Sequence, residues 1–152
     1  MLLQNDVLAE FGALVASGQC NSYEGPLFTG VDLGTANTVL AVVDSDGHPV
    51  AGATARSKGV RDGIVVDYVG TVQAVSRMKA ALEEKLGCEL PVAATAIPPG
   101  IIEGNVKCIA NVIEGTGFEG RGIADEPSAA SEILGIQKGA VVEVGGGTTG
   151  NS

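Results

Sequence analysis

The sequence predicts an α/β domain in which a mixed central sheet is flanked by helices. Short apolar runs and amphipathic stretches alternate along the chain in the order β-β-β-α-β-α-β-α-β. Two of the predicted strands lead directly into glycine-rich turns, at 32–38 and 143–150. Hydrophobic residues make up 45% of the 152 residues, which is enough for a packed core in a chain of one-domain length.

The first element is expected to be an amphipathic helix over residues 2–16, followed by a linker that ends near Gly25 and Pro26. Its apolar residues recur at helical spacing: Leu3, Val7, Phe11 and Leu14. Two interpretations are open. The helix either docks on its own domain or binds a partner protein, since groove-binding helices use the same spacing of anchors.

Three antiparallel strands are expected next, at Leu27–Asp32, Thr38–Val43 and Pro49–Thr54. The first turn joins the first two strands. The second and third are joined through residues 44–47, which end in Asp-Gly, a strong hairpin signal. His48 beside this hairpin is expected to be an ordinary surface histidine, because the chain has no other His for a metal site or a catalytic pair.

Alternating helices and strands follow. Asp67 is expected to cap a helix that runs to about Leu86 and stops at Gly87. A second helix and then a third, opened by Pro127 at its first position, alternate with short apolar strands. The remaining predicted elements are strands at Pro91–Ile97, Gly120–Ala124 and Ala140–Val144, and helices at Ile102–Glu114 and from Pro127 to about Gly135.

The charge and the cysteine content argue against several classes of protein. The net charge is −9 and no Lys or Arg precedes Arg56, which disfavours nucleic acid or an anionic membrane as a partner. Cys20, Cys88 and Cys108 form no CxxC pair, so they predict reduced cytoplasmic thiols rather than a zinc site or a disulfide framework. No apolar run approaches the ~20 residues of a membrane span.

Both glycine-rich turns are candidate phosphate-binding sites. One reads Asp32-Leu33-Gly34-Thr35-Ala36-Asn37-Thr38, and the other Glu143-Val144-Gly145-Gly146-Gly147-Thr148-Thr149-Gly150. Glycine lets backbone N–H groups approach phosphate oxygens without an intervening Cβ, and threonine hydroxyls add donors. The acid at the end of each strand, Asp32 or Glu143, can hold Mg²⁺ through water.

These turns, with the segment Asp125-Glu126-Pro127-Ser128-Ala129-Ala130 between them, resemble the phosphate motifs and connecting segment of the actin, sugar kinase and Hsp70-like chaperone ATPase superfamily. The sequence is most similar to the ethanolamine-utilisation protein J (EutJ) family, chaperone-like members associated with ethanolamine-degrading bacterial microcompartments. That similarity runs over about 26–150 and includes Gly30-Val31-Asp32-Leu33-Gly34-Thr35, Val60-Arg61-Asp62-Gly63-Ile64-Val65, Pro98-Pro99-Gly100 and Asp125-Glu126-Pro127. The resemblance implies an actin-like, ribonuclease H-like first lobe.

The resemblance also implies a role for each candidate site residue. Asp32, Glu126 and Glu143 would be the catalytic acids, and Asp32 and Glu143 would hold the Mg²⁺ of bound ATP. The phosphates would be wrapped by Gly34, Thr35, Ala36, Asn37 and Thr38 from one turn and by Gly145, Gly146, Gly147, Thr148 and Thr149 from the other. The alternatives are a turn without a ligand at 32–38 and, for Glu126, an acid that is favourable at a helix N-terminus.

By the same resemblance the chain divides into an N-terminal helix and linker (1–25), a first lobe (26–139), and the first strand and phosphate turn of a second lobe (140–152). Without further second-lobe strands, residues 140–144 are expected to be an unpaired edge strand, mobile or swapped into a homodimer. The resemblance implies an ATPase, yet Glu143 stands where Asp is usual. Because a shift of about 1 Å can cost on the order of a hundredfold in rate, this chain alone is expected to bind Mg-ATP without hydrolysing it.

The leading hypothesis is therefore a nucleotide-binding, chaperone-like accessory protein of ethanolamine utilisation, cytoplasmic and associated with the microcompartment. Its partners would be ATP or ADP and ethanolamine-utilisation enzymes or microcompartment proteins. Two alternatives are open: an actin-like structural or pseudo-ATPase assembly module, and a small-molecule kinase of the same superfamily. Against the kinase, the sequence offers no recognisable sugar-binding insertion.

Overall fold

The computed structural model describes residues 4–125, 142–144 and 149–151. The elements follow the chain as α1 (Gln4–Ser17), β1 (Phe28–Leu33), β2 (Asn37–Val43), β3 (Pro49–Arg56), β4 (Val60–Arg61), β5 (Ile64–Val65), α2 (Tyr68–Leu86), β6 (Val92–Ile97), α3 (Glu103–Gly115), β7 (Glu119–Asp125), β8 (Val142–Val144) and β9 (Thr149–Asn151). Five strands form one sheet in the order β3-β2-β1-β6-β7. The first three pair antiparallel, and β1, β6 and β7 run parallel. The sheet is therefore mixed, as predicted.

Helices α2 and α3 cover one face of this sheet. Val31 and Leu33 of β1 alternate with exposed residues and point into the core beneath the helices. The helices contribute their own buried side chains: Val75, Met78 and Leu82 from α2, and Ile109, Val112 and Ile113 from α3. Each such side chain contributes about 1.5–3 kcal/mol when removed from water, so this layer is the main source of stability among the described residues.

Helix α2 begins and ends where local signals place it. The Asp67 carboxylate accepts a hydrogen bond from the Gly70 backbone N–H at 2.9 Å, which satisfies one of the free N–H groups of the first turn. At the other end Gly87 adopts φ +68, and its N–H donates to the Glu83 carbonyl. Both predicted ends are confirmed.

Helix α1 packs on the opposite face of the sheet, over β3. Gly52 shares that face with Ala41, because the two residues are paired across β2 and β3. A Cβ at Gly52 would lie 2.8 Å from Cγ2 of Val15 and 3.8 Å from Phe11, and Leu14 is buried. The structure thus supports the interpretation in which the N-terminal helix docks on its own domain.

Two tight hairpins join β2 to β3 and β4 to β5. In the predicted one, Gly47 adopts φ +80 and the Asp44 side chain accepts the N–H groups of Asp46 and His48. The other was not predicted. Strands β4 and β5 pair across Asp62 and Gly63, both at positive φ. The Asp-Gly pair there is the same hairpin signal as at 46–47, so the sequence contained it.

The expectation of an unpaired strand at 140–144 is wrong for the described part of it. Strand β8 pairs antiparallel with β9, with Val144 opposite Thr149. One edge of β8 is therefore satisfied within the chain, which weakens the reason for strand swapping. The predicted helix from Pro127 lies outside the described residues. Across the described part of the chain, no helix combines the length and hydrophobicity needed to span a membrane.

Candidate functional site

The first glycine turn joins β1 to β2 through residues 34–36. The Gly34 N–H donates to the Asn37 carbonyl at 3.0 Å. A Cβ at Gly34 would lie 2.6 Å from that carbonyl oxygen, closer than real Cβ contacts come, so only glycine fits here. The turn is therefore closed by its own backbone, with the Asn37 carbonyl where a side chain at Gly34 would lie.

Asp32 lies just before this turn, on the sheet face opposite α2. It pairs with Val39 of β2 and with Ala96 of β6, and its side chain is exposed. It lies at a shallow cavity of about 300 Å³ whose floor is made largely of small residues: Gly30, Ala41, Ala94 and Ala96. A carboxylate at the end of a parallel strand, beside a floor of small residues, leaves room for a ligand at the strand end.

Two hydrogen bonds fasten the turn from the other side. The Thr35 hydroxyl accepts the Asp62 N–H at 3.0 Å, and the Ala36 carbonyl accepts the Ser57 N–H at 2.9 Å. Thr38 is buried on the α2 face. The structure therefore does not bring the Thr38 hydroxyl to the side of the sheet on which Asp32 lies.

The second glycine turn is described only at its two strands. Glu143 pairs with Gly150 across β8 and β9, much as Asp32 pairs with Val39 across β1 and β2. Each hairpin thus carries an acid in its first strand. The proposed ligands Glu126, Gly145, Gly146, Gly147 and Thr148 lie outside the described residues, and Thr149 lies at the start of β9.

Three basic residues near the first turn were not predicted from the sequence as site residues. Arg56, Lys58 and Arg77 line one cavity between the end of β3 and helix α2. Arg56 pairs with Asn37 across the sheet, which places this cavity beside the turn. The signal available in the sequence was only the cluster at 56–61, because Arg77 joins it through the fold.

His48 is an exposed residue of the Asp44 hairpin, as predicted. Its ring nitrogen lies 3.2 Å from the Asp44 carboxylate, and the ligand atoms of Asp44, Asp46 and His48 all lie within 4.8 Å of one another. The backbone N–H of His48 is the main cause that lowers the pKa of Asp44, and together with the Asp46 N–H and the His48 ring it outweighs the opposing effect of burial. The Asp44 carboxylate therefore has a structural role, because its hydrogen bonds stabilise the hairpin.

Comparison with solved structures identifies the fold. The structure of MreB5 of Spiroplasma citri bound to ADP superposes with a TM-score of 0.64 at 20% identity, covering 84% of this chain and 48% of that one. At that identity the likeness concerns the fold alone. The fold is that of the actin-like ATPases, as expected from the sequence.

Proteins with similar sequences identify the family. Ethanolamine utilization protein EutJ of Salmonella typhimurium is 42% identical over 139 residues, 89% of this chain and 49% of the relative. The crystal structure of EutJ from Carboxydothermus hydrogenoformans superposes with a TM-score of 0.92 at 46% identity, covering 97% of this chain and 54% of that one. No family model matches the sequence. The chain belongs to the EutJ family, and it spans about half the length of the curated relatives it matches.

Proposed function

We propose that this chain binds Mg-ATP and Mg-ADP at its first glycine turn, as the nucleotide-binding part of a chaperone-like accessory protein of ethanolamine utilisation. The relatives named above support the pathway, since they are ethanolamine utilization proteins. An actin-like neighbour that was solved bound to ADP supports the ligand. Its setting is the cytoplasm and the ethanolamine microcompartment, and its clients are pathway enzymes or shell proteins.

The observation that carries this proposal is the tight glycine turn that follows Asp32 at the end of a parallel strand. A side chain at Gly34 would collide with the Asn37 carbonyl, so the turn requires glycine, and a turn of this kind can present backbone N–H groups to a phosphate oxygen. Asp32 is the penultimate residue of β1, and only Leu33 separates it from Gly34. Its carboxylate is suited to hold a water of the Mg²⁺ shell. When bound, Mg²⁺ neutralises phosphate charge.

The second hairpin completes the proposed site. Glu143 would share the metal with Asp32, and Gly145, Gly146, Gly147, Thr148 and Thr149 would contact the phosphates from the other side. Glu126 would face the water that attacks the phosphate. Because Glu143 carries one methylene more than the usual Asp, we propose that binding is kept while hydrolysis is impaired: positioning dominates phosphoryl transfer.

The experiment is calorimetric titration of the chain with Mg-ATP and Mg-ADP. We expect a dissociation constant in the micromolar range, about −8 kcal/mol, and at least about tenfold weaker binding for Asp32→Ala. Asp46→Ala is the matched control, since it removes an acid of the same kind from an exposed hairpin turn. Absence of binding, or equal binding by both variants, would contradict the proposed site.

Functional alternatives give different outcomes in companion assays. A chaperone-like role predicts that an ethanolamine-utilisation enzyme is retained by the chain in a nucleotide-dependent manner. A small-molecule kinase predicts phosphate transfer that requires a second substrate. An assembly module predicts self-association that is the same with and without nucleotide, which sedimentation velocity measures.

A further inference from the structure

A cavity of about 370 Å³ lies between the end of β3 and the first half of α2. Arg56, Lys58 and Arg77 line it. The whole chain has nine Lys and Arg residues against eighteen acids. One third of its cations thus surround a single cavity, in a protein whose surface otherwise repels anions.

These cations are not neutralised by neighbouring carboxylates. Among the residues that the structure describes, none of the three forms an ion pair. Three other cations do: Lys79 with Glu83, Lys107 with Glu103, and Arg121 with Glu119. The acid in the cavity wall is Asp67, whose Oδ1 already accepts the Gly70 N–H. Three positive charges therefore face one carboxylate that is engaged in capping the helix.

Small residues keep the cavity open. A Cβ at Gly59 would collide with the Thr71 hydroxyl and come within 2.9 Å of the Asp67 carbonyl, so this wall tolerates only glycine. Ala55, Gly70 and Ala74 form further parts of the lining. Ser57 and Gln73 add neutral side chains that can donate hydrogen bonds. Cations, neutral donors and a concave shape occur together here.

The cavity is separate from the proposed metal carboxylate. Thr38 and Met78 line it and both are buried on the α2 face, whereas Asp32 lies on the opposite face. The connection between the two is the hydrogen bond from Ser57 to the Ala36 carbonyl. A ligand in this cavity would thus be one hydrogen bond away from the glycine turn, through Ser57.

We propose that this cavity is a binding site for a small phosphate-type oxyanion carrying two or more negative charges. Its volume lies at the lower end of the range of small-molecule pockets, which suits a compact anion better than an acidic peptide. The two guanidinium groups can bind phosphate oxygens bidentately, and Lys58 adds a point charge. The site does not depend on nucleotide binding at Asp32.

The test is calorimetric titration of the full 152-residue chain with inorganic pyrophosphate, without Mg²⁺ or nucleotide. We expect saturable one-to-one binding that Arg77→Gln and Lys58→Gln each weaken by about tenfold, as loss of one charge-assisted hydrogen bond does. Lys85→Gln is the matched control, because it removes one charge from the same helix outside the cavity. Arg77→Lys should restore part of the affinity.

Each alternative has its own signature. Asp32→Ala should leave pyrophosphate binding unchanged; because this variant removes a negative charge beside the glycine turn, tighter binding by it would move the anion to that turn and overturn the cavity assignment while favouring the nucleotide site. If Arg77→Gln and Lys85→Gln weakened pyrophosphate binding equally, the anion would be attracted by overall charge rather than by the cavity, and the proposal would be wrong. Absence of pyrophosphate binding by the wild-type chain would also overturn it. Titration with hexaglutamate tests for an acidic peptide as the ligand. Binding of that peptide but not of pyrophosphate would assign the cavity to a protein partner. Circular dichroism confirms that each variant is folded.

Discussion

The Thr35 hydroxyl accepts a hydrogen bond from the backbone N–H of Asp62, at 3.0 Å and across 27 residues of sequence. Asp62 adopts φ +53, the left-handed conformation that Asp tolerates better than most residues. The β4–β5 hairpin is thereby fixed against the glycine turn. A residue that the sequence places in the phosphate motif also has a structural role, namely holding a second hairpin.

Replacing Thr35 by Val removes this acceptor while keeping the shape of the side chain. The Asp62 N–H loses its partner, so we expect a loss of about 1 kcal/mol in the free energy of unfolding. We also expect Mg-ATP affinity to fall by about tenfold, since the turn is then less rigidly oriented. Urea unfolding and calorimetry measure the two effects. Thr54→Val, at an exposed site on β3, should change neither, and an equal loss in both variants would dismiss the role given to Thr35.

Gly34 offers a sharper test of the turn itself. Because a Cβ would approach the Asn37 carbonyl to 2.6 Å, Gly34→Ala should destabilise the protein by about 1–3 kcal/mol and abolish nucleotide binding. Gly104→Ala is the control, because that glycine lies in α3 with nothing within 4 Å of the added Cβ. It should be neutral or stabilising by up to about 1 kcal/mol. Wild-type stability in Gly34→Ala would mean that the turn is not held as described.

Local signals account for the parts of the fold that the sequence predicted. Asp67, Gly87 and the Asp-Gly pair at 46–47 act within three or four residues of themselves, so their effect is readable without the tertiary structure. The observed bounds of the elements from α1 to β7 that were predicted differ from the expected ones by no more than two residues. The EutJ resemblance supplied the identity of the fold.

What the sequence could not provide depends on contacts between distant segments. Gly52 is one more glycine in a strand until the fold brings Val15 against it. Arg77 stays exposed in the structure, and only the position of α2 brings it to the cavity that Arg56 also lines. Thr38 belongs to the phosphate motif by resemblance, yet strand alternation buries its side chain on the other face. Motifs identify the residues, but the direction of each side chain follows from the packing.

Two buried threonines on adjacent strands allow a matched test of hydrogen bonding in the sheet. The Thr95 hydroxyl donates to the Val31 carbonyl at 2.7 Å, whereas the Thr29 hydroxyl has no hydrogen-bond partner among the described residues. Thr29→Val should therefore stabilise the protein by about 1 kcal/mol, and Thr95→Val should destabilise it by about 1 kcal/mol. Urea unfolding of both variants measures the difference, and the same sign for both would contradict the assignment.

Glu83 links the C-terminal half of α2 to the segment that precedes β6. Its Oε1 accepts hydrogen bonds from the Lys79 ammonium and from the Leu90 backbone N–H, both at 2.8 Å. Lys79 also lies 5.0 Å from the centre of the Phe118 ring. Burial alone would raise the pKa of Glu83, but these hydrogen bonds and the charge of Lys79 outweigh it, so the pKa is lower than in a free glutamate.

A lowered pKa fixes the sign of the pH dependence. The ionised carboxylate stabilises the folded state fully above the unfolded pKa of about 4.3, and this contribution is lost as the pH falls through the lower folded pKa. Glu83→Gln should thus cost about 0.5–1 kcal/mol at pH 7, and its difference from wild type should shrink steadily below about pH 4.5. Urea unfolding from pH 7 to pH 3 measures this. Glu84→Gln, at an exposed neighbouring position, should show no such trend, and a pH-independent cost for Glu83→Gln would assign the effect to packing rather than to charge.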